Sequence, residues 1–199
     1  MYSERIIEMA RVYETVLNVE TEVGKNGKEY YHFHVDDARI KTNPKDERGN
    51  VIARFRNFAG IGTTMNHEGA RNFMWEFEDP DIADELVKWG LPVKIYTRDD
   101  GSQVWSLKIR VKYRGTWNDP VINIDSDTAP RCVIPEECLG ELDDMFFGHV
   151  DFTFTIYDYT VGGRSGRSAY LEDMLIYKLP SRARRSRYDD RHYGSYEEE

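Results

Sequence analysis

The stretch VDFTFTIYDYTVGGRSGRSAYLEDMLIYKL, residues 150–179, holds two segments around Gly162-Gly163. In the first, Phe152, Phe154 and Ile156 alternate with Thr153, Thr155, Tyr157 and Tyr159. Successive side chains of a strand point to opposite faces, so the pattern predicts one apolar and one polar-aromatic face. Two adjacent glycines supply the positive φ that a tight hairpin turn needs. The stretch therefore reads as a closing β-hairpin.

Working outward, the same period recurs. SLKIRVKYR, residues 106–114, places Leu107, Ile109, Val111 and Tyr113 on one face and Lys108, Arg110, Lys112 and Arg114 on the other. With LPVKIYTRDDGSQVW before it, this forms two strands around Asp100-Gly101. VIARFRNF sets Val51, Ala53 and Phe55 against Arg54, Arg56 and Phe58, and RNFMWEF aligns Phe73, Trp75 and Phe77. PVINIDSD reads as a short strand, and VETEVGKNGKEYYHFHV as a hairpin around Asn26-Gly27.

Two helices interrupt the strands. Asp79 suits an N-cap, Pro80 the first helical position and Gly90 a left-handed cap, with Ile82, Leu86 and Trp89 as the buried stripe. IPEECLGELDDMFF is a shorter one. Ile6, Ala10, Tyr13 and Leu17 predict a further helix over residues 3–17. Many short strands with few helices indicate a small barrel or sandwich. We expect three regions: an N-terminal helix and hairpin extension (1–50) packing on the barrel, the barrel itself (51–180), and a disordered charged tail (181–199).

The 199 residues carry a net charge of -9, with 40% hydrophobic and 32% charged side chains, which fits a soluble cytoplasmic protein. No run approaches the ~20 apolar residues of a membrane helix. Cys132 and Cys138 are spaced too widely for a CxxC motif. The tail balances five arginines with five acids, so any positive surface must arise by segregation within the fold.

Such a surface is predicted by the faces opposite the apolar ones. It collects Arg54, Arg56 and Phe58, then Lys108, Arg110, Lys112 and Arg114, then Tyr157, Tyr159, Arg164 and Arg167. Cations track phosphates and aromatic rings stack on unpaired bases, so the combination suits a single nucleic-acid strand. Ordinary wet sheet faces also carry Lys and Arg, and paired tyrosines also pack on each other. A non-catalytic structural or protein-interaction β-domain, its acidic surface meeting a basic partner, is the competing reading.

Other chemistries find little support. His32, His34 and Asp36 share a strand face, but no third Cys or His follows at ligand spacing. Asp125 and Asp127 lack a second carboxylate cluster nearby in sequence. Phosphate-loop, nucleophile-elbow and dinucleotide motifs are absent. We expect no enzyme activity, cofactor or metal.

From Val51 to Leu179 the chain resembles the OB-fold single-stranded-DNA-binding proteins of tailed bacteriophages. The motifs, in order, are ARFRNFAG (53–60), NHEGARNF (66–73), EDPDIADELVKWGLPVK (78–94), SLKIRVKYR and the block ending YLEDMLI. The resemblance implies a five-stranded OB-type barrel that binds single-stranded DNA with little sequence preference during phage replication or recombination. It adds Arg71 and Phe73 to the candidates and also points to Arg56, Phe58, Tyr157, Tyr159 and Arg164. Asp158-Tyr159 stands where the family usually has Asn-Trp. Single-stranded DNA is the implied partner, with replication or recombination proteins meeting the tail. The tail also suggests competition, with RARRSR touching phosphates and Glu197 to Glu199 occupying the basic groove.

Overall fold

The computed structural model describes residues 15–64, 66–116, 118–126 and 129–178. Ten strands and two short helices follow in order. They are β1 (Val16–Val23), β2 (Glu29–Ile40), β3 (Arg56–Asn57), β4 (Arg71–Phe77), α1 (Pro80–Lys88), β5 (Lys94–Thr97), β6 (Gln103–Val111), β7 (Val121–Ser126), β8 (Ala129–Val133), a 3₁₀ helix (Glu136–Asp143), β9 (Phe147–Val161) and β10 (Arg164–Lys178).

Five strands close a ring. β4 pairs with β6, β6 runs parallel to β10, β10 pairs with β9, β9 with β2, and β2 returns to β4. The mainly β, barrel-like expectation is thus met. The remaining strands attach as flaps: β1 on β2, β3 on β4, β5 on β6, and β7 with β8 on β10. The ring's inner face holds Phe33 and Val35 of β2, Phe73 and Trp75 of β4, Leu107 and Ile109 of β6, and Phe152 and Phe154 of β9, each at most 2% exposed.

Three expectations need correction. Of the described residues before 50, β2 does not pack on the barrel from outside. β2 is a stave of the ring, because Phe33 and Val35 and, past a register shift, Ala38 and Ile40 turn inward and fill its core. Helical spacing over 3–17 does not hold at its end, where Val16 opens β1; residues 1–14 lie outside the described part, as does the tail from residue 179. VIARFRNF is mostly loop, with only Arg56–Asn57 in a ladder. Its period-two pattern arises from side chains tied down individually.

The turns follow their residues. Gly162 (φ 58°) and Gly163 (φ 77°) both take the left-handed region and close β9–β10. Asp79 caps α1 by accepting from the Asp81 N–H, and Ile82, Ala83 and Leu86 bury its inner face. Trp89 at its end packs edge-on against Phe33, which ties the helix to β2.

Candidate nucleic-acid interface

The inward parity of Phe73, Trp75, Leu107 and Ile109 turns their neighbours outward. Ladder register then aligns Asn72 with Arg110, and Arg110 with Tyr170. Met74 lies opposite Lys108, and Lys94 opposite Ser106. On the β9–β10 hairpin, Thr155 faces Tyr170, Tyr157 faces Ser168 and Tyr159 faces Gly166. One outer face therefore unites Lys94, Lys108 and Arg110 with Tyr170, Tyr157 and Tyr159, and by the same parity with Arg164 near the hairpin tip.

β10 pairs with β6 at only two positions, Ala169 and Tyr170. Toward the tip the hairpin leaves the ring and carries its tyrosines beside the cationic face of β6. Tyr157 and Tyr159 are each 43% exposed. Tyr157 meets Tyr170 edge-to-face at 5.4 Å. Tyr159 lies flat over Gly166, where a Cβ would stand 2.8 Å from its hydroxyl. Each ring is thus braced from one side and open on another.

The cations on this face are clustered and, among the described residues, unpaired. Several cations elsewhere meet carboxylates: Arg71 with Glu136 at 2.5 Å, Arg98 with Glu78 at 2.6 Å, Lys45 with Asp144 at 2.7 Å. Lys94, Lys108, Arg110, Lys112 and Arg114 have no carboxylate within ion-pair distance among the described residues. Burial lowers the Lys108 pKa, and the charges of Arg110 and Lys94 lower it further. Like charges crowd together there without relief.

Other expected residues fall elsewhere. Arg56 is 2% exposed and Phe58 fully buried, so neither lies on a surface. The Arg56 guanidinium donates to the carbonyls of Ile40 (3.1 Å), Lys41 (3.2 Å) and Met145 (2.7 Å), and it stacks on Phe147. Phe58 stacks on buried Phe73. Arg54 leans toward Asp143 at 3.9 Å. Arg71 shares the inward parity of Phe73 and is drawn to the 3₁₀ helix by Glu136. Arg167 lies on the opposite hairpin face, donating to Asp158 (2.9 Å) and to the Trp89 carbonyl (2.8 Å). Lys112 and Arg114 are exposed but follow the end of β6. His32 and His34, considered above as ligands, instead contact Glu172 at 2.7 Å and Thr153 at 3.1 Å.

Sequence reading overlooked Lys94, Tyr170 and the asparagines at 66 and 72. Alternation around Ala169 and Leu171 marks Tyr170 as outward. Lys94 joins Lys108 only once the β5–β6 register is known.

A family model described as "Putative phage ssDNA-binding domain" matches residues 47–191. No curated protein matches the chain. Similar solved structures include the single-stranded DNA-binding protein from bacteriophage Enc34, C-terminally truncated. It has a TM-score of 0.44 and 14% identity, over 91% of this chain and 99% of that one. Another is gp2.5, a single-stranded DNA-binding protein encoded by bacteriophage T7, with a TM-score of 0.36 and 9% identity, over 85% and 100%. The family match begins after β2, although β2 completes the ring.

Proposed function

The chain belongs to the family of phage single-stranded-DNA-binding domains, and from that premise we propose that its outer β6–β10 face holds the strand. The observation that carries this reading is the cluster Lys94, Lys108 and Arg110, left without carboxylates in an acidic protein and flanked by exposed tyrosines. The cations follow the phosphates. Tyr157, Tyr159 and Tyr170 stack on bases, and stacking tolerates any base because each has a π face. Lys112, Arg114 and Arg164 extend the positive track at its ends. Binding of this kind has little sequence preference and involves no catalysis. It protects exposed strands in the host cytoplasm during phage replication or recombination, where proteins of those pathways are the expected partners of the tail.

Fluorescence titration with oligo-dT of about 30 nucleotides, longer than the ~4–16 nucleotides an OB fold occupies, tests the reading. The expected result is tyrosine quenching, weaker binding to duplex of equal length, and log K falling with log salt by about 0.7 per phosphate contacted. Flat titrations at low salt would refute it and direct attention to a protein partner.

A further inference from the structure

Resting on that reading, we infer that Asn66 is a positioning residue that holds Lys108 at the strand-binding face through a neutral oxygen, keeping its positive charge for phosphate. Lys108 is half-buried, and its ammonium donates to Asn66 Oδ1 at 3.3 Å. The same oxygen accepts from Asn72 Nδ2, also at 3.3 Å. Asn72 is 3% exposed and sits opposite Arg110 on the ladder. A carbonyl oxygen has two lone pairs, and these two donors use both.

The described residues around Asn66 are tied together by hydrogen bonds. Asn57, fully buried, donates through Nδ2 to the carbonyls of Ile61 and Ala70 and accepts the Ile61 N–H. This clamps both ends of the 57–70 segment together. Gly60 and Gly69 pass so closely that a Cβ on Gly60 would meet the Gly69 Cα at 3.1 Å. Within the loop Asn66 bridges to Thr63 through reciprocal backbone hydrogen bonds, and its own N–H also reaches the Thr63 hydroxyl. An acceptor carried on this anchored backbone and shared with buried Asn72 restricts the lysine it holds. Lysine otherwise spends considerable rotamer entropy when it binds a phosphate.

The choice of amide over carboxylate matters. Aspartate has the same shape and reach, but beside Lys108 it would form an ion pair and remove that cation from the track. Asparagine gives direction without neutralisation. The nearby repulsion among Lys94, Lys108 and Arg110 makes such a neutral tether useful, because free side chains would splay apart.

The test is a double-mutant cycle on the full chain, using labelled oligo-dT at several salt concentrations. Asn66→Asp is expected to weaken binding and to lower the magnitude of the log K–log salt slope by about 0.7, the loss of one phosphate contact. Lys108→Gln should lower it equally. Adding Asn66→Asp to Lys108→Gln should leave the slope where Lys108→Gln put it. Asn66→Ala, which removes the tether and adds no charge, should weaken binding with the wild-type slope retained. An unchanged slope in Asn66→Asp overturns the inference, as does an equal drop in the Lys108→Gln background, which would mean that the new carboxylate repels DNA directly. Failure of the wild-type protein to bind oligo-dT would instead refute the function proposed above. Unchanged thermal unfolding separates these outcomes from loss of fold.

Discussion

Replacing Arg56 with methionine sets the sequence's expectation against the structure's placement of that residue. As a phosphate-binding residue, Arg56 could be lost with little cost to folding. As a buried strut, it cannot. Its guanidinium satisfies the carbonyls of Ile40, Lys41 and Met145, on β2, the loop after it and the segment leading into β9. Methionine fills much of the volume against Phe147 but supplies no donor. Hydrogen bonds from charged donors contribute about 1.5–3 kcal/mol each, giving roughly 4.5–9 kcal/mol for three before relaxation. Water entry and repacking recover part of it, and losses of about 3–5 kcal/mol are typical when a buried charged network is broken. That is a large share of the ~5–15 kcal/mol that keeps a domain folded. Burial brings the Arg56 pKa down to about 10, still well above neutrality, so the charge is present throughout the assay range. In urea, with a slope of about 2 kcal/mol per molar, the midpoint should fall by about 1.5–2.5 M. Affinity for oligo-dT, measured well below that midpoint, should stay within about twofold, less than ~0.5 kcal/mol. An unchanged midpoint with weakened DNA binding would refute the strut and restore Arg56 to the interface.

Three further outcomes follow from the described contacts. Tyr157→Ala should cost about 1–3 kcal/mol of binding, roughly 5- to 150-fold in Kd, with the circular dichroism spectrum preserved. Arg110→Glu should reduce the salt slope by at least about 0.7 in the same titrations, since it removes a contact and adds repulsion. His32→Gln should flatten the pH dependence of unfolding. Burial opposes the His32 charge, but the hydrogen bond and charge of Glu172, helped by Glu22, outweigh it and raise the pKa above 6.5. Protonated His32 therefore adds stability that is fully present below pH 6.5 and is lost as pH rises through the folded value. Wild-type and variant midpoints should converge at alkaline pH, and a constant difference across the range would contradict the assignment.

The fold was legible wherever alternation and turn chemistry agreed. β4, β6, β9 and β10 have period-two cores, and their hairpins turn at Asp100-Gly101 and Gly162-Gly163 with the expected left-handed glycines. The site was legible in part, because parity along one strand shows a face but not which neighbouring face adjoins it. Lys108 and Arg110 were visible; their juxtaposition with Tyr170 depends on a parallel β6–β10 contact of two residue pairs, which has no local signal. Arg56 misled for a different reason. Alternation identifies polar positions, yet a guanidinium with three carbonyl partners is satisfied inside the core, and no pattern of types separates that from a wet face. Phe58 likewise sits at an outward parity of a segment that is not a strand.

An acidic chain with a cluster of uncompensated cations distributes its costs in a particular way. Crowding Lys94, Lys108 and Arg110 without carboxylates raises the energy of the free protein, because each charge disfavours the others. A polyanion relieves that repulsion on binding and releases its own counterions, so the unfavourable arrangement in the free state becomes affinity in the bound one. Carboxylates at Arg71, Arg98, Arg167 and Lys45 do the reverse, neutralising those cations in the free protein. Under the proposed function, the clustered cations of this face attract the strand while the net charge of -9 opposes contact elsewhere. The proposed strand-binding face therefore rests on the placement of unpaired cations rather than on their number.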